Sequence, residues 1–195
     1  RFTSPHPKDF PRKLLELMAE RPNICKQIHL PLQAGNSRVL DVMNRTYTQE
    51  EFLGLAKEIR SIMPDIWLST DIIVGFPTET AEEFLDTLNV VKEVRFDQAF
   101  MFKYSERPNT LASKKSKDDI SEEEKTRRIN ELVKLQLEIT LERNKAHIGE
   151  IQEVMIENES SKKDPSLTVA RNDGGTLVMI SKEDHFKKGE YVKVM

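Results

Sequence analysis

Cysteine is nearly absent: Cys25 stands alone in 195 residues, so the chain cannot form an internal disulfide, and a reducing cytoplasmic setting is expected. Without a cysteine cluster, His6 and His29, each close to a proline, do not make a metal site. No apolar run approaches the roughly 18 residues needed to cross a bilayer, which excludes a membrane partner of that kind. The opening residues Arg1-Phe2-Thr3-Ser4-Pro5-His6 carry no apolar segment of signal-peptide length. A Walker loop, a Gly-x-Gly-x-x-Gly run and a Ser-His-Asp order are all missing, which removes three common nucleotide-binding and hydrolase readings. Basic excess is missing as well. The net charge is -3, so any RNA contact must come from local patches. An initiator methionine is also lacking, and Arg1-Phe2-Thr3 reads as the end of a strand, so a fragment of a longer protein is expected.

What remains is 37% hydrophobic and 32% charged, the balance of a soluble globular protein of one domain or a little more. Strand-like and helix-like segments alternate through the first hundred residues. Lys13 to Glu20 reads as a short helix and Gln27 to Leu32 as a strand. A helix follows Asn36 and Ser37. The next is capped by Thr48 with Glu51 three residues on, a capping-box pair. Trp67 to Val74 is a strand. The helix after it, which Thr78 could cap, turns Phe84, Leu88 and Val91 inward, and Gln98 to Tyr104 is another strand. This succession predicts parallel strands with helical crossovers, an α/β fold with too few strands to close a TIM barrel. Residues 106–119 read as a linker. Ser121 and Glu124 start a long helix that runs to about His147. Short alternating strands follow Gly149, with a turn at Asp173-Gly174-Gly175, and predict a small β-barrel or sandwich. The expected units are 1–120, 121–147 and 148–195.

Ser69 to Thr80 is the most telling stretch. A buried strand runs into Gly75-Phe76-Pro77, and a helix with acids in its first turn follows at once. Open parallel sheets place ligands beyond the carboxyl ends of their strands. Gly75, lacking a side chain, lets a flat ligand approach the backbone. Loops at Ser4-Pro5-His6-Pro7 and Gln33-Ala34-Gly35-Asn36 would converge on the same end. Gln33 offers donor and acceptors to a ribose, an amide or an amino-acid head group, and Asp71 could face the barrel interior. Phe100, Phe102 and Tyr104 alternate as core residues do, and Cys25 reads as a small buried apolar residue. Between Lys103 and Lys117 stand five basic residues and one acid, a stretch that could meet phosphates. Ser160-Ser161-Lys162-Lys163 and Arg171-Asn172 could form a basic edge of the C-terminal unit.

Four strings carry a resemblance: His29-Leu30-Pro31-Leu32-Gln33-Ala34-Gly35, Met43-Asn44-Arg45-Thr46-Tyr47, Ser69 to Pro77, and Tyr104-Ser105-Glu106-Arg107-Pro108. Together they resemble the methylthiotransferases, which are radical S-adenosylmethionine (SAM) enzymes. Ala99-Phe100-Met101-Phe102-Lys103-Tyr104-Ser105 resembles the tRNA branch, of MiaB type, and residues 148–195 resemble the TRAM domain that ends such proteins. The resemblance implies a partial (β/α) radical-SAM barrel and a methylthio transfer to isopentenyladenosine beside the anticodon. It implies SAM contacts at Ser4, Gln33, Asp71, Ile73, Gly75, Phe76 and Glu79, and RNA contacts at Lys103, Arg107, Lys162, Lys163 and Arg171. Two 4Fe–4S clusters are implied, ligated outside this chain by the missing N-terminal half of the protein. The implied macromolecular partner is the anticodon stem-loop of tRNA.

The chain departs from the family pattern in places. Both cluster cysteine sets are missing, so the fragment alone is expected to be inactive. Ala34 and Asn36 replace common serines, Asn109 stands where glycine is usual, and the C-terminal unit is short for a TRAM domain. Sister branches acting on threonylcarbamoyl-adenosine or on a ribosomal protein remain alternatives, as does a non-catalytic RNA-binding fragment.

Overall fold

A computed structural model describes residues 2–3, 5–110 and 116–195, so Ser4, Lys114 and Lys115 lie outside the described residues. Strands β1 (Phe2–Thr3), β2 (Gln27–His29), β3 (Trp67–Val74) and β4 (Gln98–Lys103) form one sheet in that order, every neighbouring pair parallel. Helices α1 (Arg12–Glu20), α2 (Ser37–Val42), α3 (Gln49–Ile62) and α4 (Ala81–Val94) fill the connections, as the alternation predicts. Asn36 caps α2, and Thr48 with Glu51 forms the expected capping box on α3. For α4 the box is Thr80 with Glu83, not Thr78. A cap residue needs extended backbone, whereas Thr78 has φ 71 and gives its N–H to Asp119 Oδ1 at 2.8 Å.

Alternate residues of the sheet point to opposite faces. Ile28, Leu68, Ile72 and Val74 are fully buried in one core with Leu15, Phe52, Ile59, Phe84 and Leu88 of the helices. The opposite face carries His29, Ser69, Asp71 and Ile73, in register with Gln98, Phe100 and Phe102 of the edge strand. Phe100 and Phe102 are 45% and 52% exposed, which corrects their assignment to the core. Alternation does place them together, but on the face that the helices leave open.

The long helix, α5 (Glu122–Ala146), runs along β4. Ser121 accepts from the Glu124 N–H at 3.2 Å, but the reciprocal half of a capping box is absent because the Glu124 carboxylate binds Arg127 and Arg128. Gln136 Nε2 donates to Phe96 O at 2.8 Å, and Thr140 Oγ1 donates to Asp97 O at 3.0 Å. Buried Asp97 accepts from the Leu68 N–H at 2.8 Å and pairs with Arg143 of α5. The helix is thereby tied to the amino end of β3.

Strands β5 (Gln152–Asn158), β6 (Leu167–Asn172), β7 (Leu177–Ser181) and β8 (Tyr191–Val194) form an antiparallel sheet in the order β7-β6-β5-β8. Val154, Ile156, Ala170 and Phe186 make its small core. Its β6–β7 turn packs on the amino end of the parallel sheet. A Cβ added at Gly174 would stand 2.2 Å from the Trp67 ring, and Gly175, with φ 91, sits against Gln27. Trp67 also stacks on His147 at the end of α5, with centroids 5.7 Å apart. Cys25 is half-buried at this joint, its Sγ 3.5 Å from Asp173 Oδ1, rather than a wholly buried apolar residue. Among the described residues no helix is long and apolar enough to cross a membrane.

Candidate functional site

The parallel strands deliver Gln33, Asp71, Ile73, Gly75, Phe76 and Glu79 to one end of the sheet. Gln33 takes a left-handed φ of 68 and extends the pairing of β2, its N–H donating to Asp71 O at 2.8 Å and its carbonyl accepting from Ile73 N–H at 2.9 Å. This fixes Gln33 with its main chain alone. Asp71 Oδ2 lies 3.1 Å from His29 Nε2, and His29 Nδ1 lies 2.9 Å from Ser69 Oγ. The His29 and Phe100 rings meet in a T-shaped arrangement, with centroids 5.7 Å apart. The open face thus holds a hydrogen-bonded line, Ser69–His29–Asp71, bordered by aromatic surface.

Gly75 has φ 70, as the turn after β3 requires. Its open side is occupied by the chain itself, since an added Cβ would stand 2.4 Å from Lys125 Cγ of α5. Lys125 is 2% exposed, and its ammonium reaches Asp118 Oδ2 at 2.5 Å and lies 5.5 Å from the Tyr104 ring centroid. Tyr104 in turn meets Phe76 edge-on, with centroids 4.9 Å apart. Glu79 is wholly internal. Oε2 accepts from the Gly75 N–H at 2.7 Å and from Arg128 Nη1 at 2.8 Å. Burial pushes the Glu79 carboxyl above its ordinary value, against the pull of Gly75 and Arg128. The turn is also held from α2, where Arg38 donates to Thr78 O at 2.7 Å and pairs with Glu83, keeping the Glu83 carboxyl below its ordinary range.

The basic residues do not gather at this site. Lys103, paired in register with Val74, binds Glu122 at 2.8 Å. Arg107 is exposed in the turn after β4, where its carbonyl accepts from the Thr110 hydroxyl at 2.9 Å. Lys162 and Lys163 are exposed in the β5–β6 loop, at the end of the second sheet away from Trp67. Arg171 is bound to Glu157 at 2.5 Å and to the Gly175 carbonyl. A cleft of about 360 Å³ beside Trp67 and His147 belongs to the joint between the sheets and lies at the amino end of the parallel strands, away from their carboxyl ends. No metal-ligating group of three or more His, Cys, Asp or Glu occurs among the described residues. The reading from residues missed Arg38, Lys125 and Arg128. Lys125 and Arg128 lie three apart on a helix of mixed charge, and nothing local distinguishes them from its solvated lysines and arginines.

Residues 2–91 match the model of the radical SAM superfamily. The chain is 45% identical over 194 residues to tRNA-2-methylthio-N(6)-dimethylallyladenosine synthase of Phocaeicola vulgatus, covering all of this chain and 42% of that protein. The enzyme of the same name from Azobacteroides pseudotrichonymphae is 51% identical over 162 residues, covering 83% of this chain and 36% of the relative. The chain thus spans less than half the length of these curated relatives. Among solved structures, coproporphyrinogen III oxidase from Escherichia coli, a radical SAM enzyme, superposes with a TM-score of 0.56 at 19% identity, covering 91% of this chain and 45% of that one. That likeness extends to the fold alone. Residues 2–91, with their parallel strands and the turn at Gly75, are thus similar to the radical SAM superfamily, and the chain as a whole is similar to part of the tRNA-2-methylthio-N(6)-dimethylallyladenosine synthases.

Proposed function

We propose that this chain is part of a tRNA methylthiotransferase that adds a methylthio group to N6-isopentenyladenosine beside the anticodon. The observation that carries the reading is homology along the whole chain at 45% identity to a synthase of that name. The donor set at the strand ends fits SAM. The Gln33 main chain is spent on β3, leaving its amide for a ribose or the amino-acid group, while Asp71 is about a third exposed beside His29. Ile73, half-buried on the open face, offers an adenine apolar surface beside the turn that holds Gly75 and Phe76. Ser4, outside the described residues, is the remaining residue of the proposed SAM set. Glu79 serves this site from within, because its carboxylate is turned to the Gly75 N–H. Bound SAM, with a reduced 4Fe–4S cluster, supplies the one-electron chemistry. With one cysteine in the chain, the two clusters are ligated by the remainder of the polypeptide.

The second sheet, 148–195, serves as a TRAM-like unit that holds the anticodon stem-loop. Lys162 and Lys163 on its exposed loop meet phosphates, and Lys103, Arg107 and Arg171 act at the margins, each a salt-dependent contact. Residues 1–120 and the helix 121–147 form the barrel part and its strut, and the protein works in the cytoplasm. The test is mass spectrometry of bulk tRNA nucleosides from cells with and without the parent gene. Loss of methylthio-isopentenyladenosine with accumulation of isopentenyladenosine is expected. An unchanged nucleoside profile would refute the tRNA reading, and loss of the methylthio form of threonylcarbamoyl-adenosine would move the function to the sister branch.

A further inference from the structure

The carboxyl-end turn of β3 is set by a residue 49 positions away in the chain. Arg128 is 5% exposed and spans three acceptors: Nη1 donates to Glu79 Oε2 at 2.8 Å and to Glu79 O at 3.0 Å, and Nε donates to Glu124 Oε1 at 2.7 Å. Glu79 is 1% exposed, and the same Oε2 that receives Arg128 also receives the Gly75 N–H at 2.7 Å. Glu79 N–H closes the turn on Phe76 O at 2.9 Å. We propose that Arg128 is a positioning residue for SAM, fixing the Gly75–Phe76 backbone through Glu79. The inference rests on the reading of this turn as part of the SAM site.

Three features make the link more than packing. The turn holds two left-handed residues, Gly75 at φ 70 and Thr78 at φ 71, and Thr78 has a Cβ that makes this conformation costly. It therefore depends on outside contacts to keep its shape. A carboxylate with no cation beside it in a buried site relieves itself by protonation or by moving toward water, and either response alters the acceptor that fixes the Gly75 N–H. The planar guanidinium is also needed as such. It meets a carbonyl and two carboxylates from two nitrogens set apart in a rigid plane, a geometry that the compact ammonium of lysine does not reproduce. Because α5 continues to His147 and the second sheet, the residue that fixes the turn belongs to the helix that joins the two sheets.

The experiment uses the full-length protein with its clusters in place and the variants Arg128→Met, Arg128→Lys and the double variant Glu79→Gln/Arg128→Met. Three quantities are read: the SAM dissociation constant by equilibrium dialysis, amide hydrogen exchange of peptides covering 73–81, and the unfolding midpoint. In the parent protein, saturating SAM should slow exchange over 73–81. Arg128→Met should weaken SAM about ten-fold, by analogy with the lower end of what loss of an outer-shell partner costs at metal sites, and should speed exchange over 73–81. The double variant, which removes both charges and keeps an acceptor for Gly75, should recover part of the affinity. Arg128→Lys is expected to fall between parent and Arg128→Met, and it decides the matter if Arg128→Met does not fold. Unchanged SAM affinity and unchanged exchange over 73–81 in a folded Arg128 variant, with only the midpoint lowered, would overturn the inference. Failure of SAM to slow exchange over 73–81 in the parent would instead overturn the reading of the turn as a SAM site.

Discussion

The joint between the two sheets offers a sharp test, because Trp67, the chain's single tryptophan, lies in it. Replacing Gly174 by alanine adds one methyl group whose carbon would stand 2.2–2.3 Å from three atoms of the Trp67 ring. Ordinary carbon contacts need about 3.5–4.0 Å, so the turn must retreat by well over 1 Å or the indole must rotate. Rotation would break the stack on His147, in which the rings are tilted by only 15°. Overpacking of this kind costs about 1–3 kcal/mol. The cost falls on the contact between the sheets, because Val154, Ile156, Ala170 and Phe186 form a core of their own. Two readouts follow. Trp67 emission should shift to the red and brighten as the ring gains water and loses its imidazole neighbour, while far-ultraviolet circular dichroism stays near the parent's. The urea midpoint followed by Trp67 should fall below that followed by circular dichroism, since the joint opens first. Unchanged emission together with coincident midpoints would refute this packing of the β6–β7 turn on β3.

Other consequences can be checked in the same chain. Asp97→Asn keeps an acceptor for the Leu68 N–H but removes the charge facing Arg143 and Arg60, and should cost about 3–5 kcal/mol in urea unfolding. Phe96 and Phe100 look alike in sequence, yet Phe96→Ala should cost about 3–5 kcal/mol and Phe100→Ala about 1 kcal/mol or less, because Phe96 is fully buried and Phe100 is not. Glu124 is held at about 2, against an ordinary 4.5, by hydrogen bonds from Arg127 and Arg128. A lowered carboxyl contributes stability that is complete above its unfolded value and is lost as pH falls through the folded one. Glu124→Gln should therefore flatten the loss of stability between pH 4.5 and 2, and an unchanged acid limb would count against the pairing.

Much of the parallel sheet was legible from local signals. The span Trp67–Val74 follows from its β-branched and aromatic content and its flanking turns, and the Thr48–Glu51 box marks the start of α3 because both halves of the cap lie within one turn. Local rules failed where a distant partner competed. Thr78 looks like a cap in sequence, but its backbone is claimed by Asp119 and Arg38 and Thr80 takes the role. Glu124 completes a capping box on paper, and two arginines draw its carboxylate away. The same holds for the candidate site. Gly75, Phe76 and Asp71 stand out in one string, whereas Arg128 acts from a helix that begins beyond the linker.

By itself, the sequence determined the alternation of elements, the parallel sheet and the turn that follows β3, because those depend on periodicity, caps and turns within a few residues. The tertiary structure alone decided which face of β4 lies open, which cation closes on Gly75, and that the second sheet sits at the amino end of the strands, away from Glu79. Each of those outcomes depends on contacts between residues tens of positions apart. Their energies come from burial and from desolvated charge, and neither is written in a local pattern.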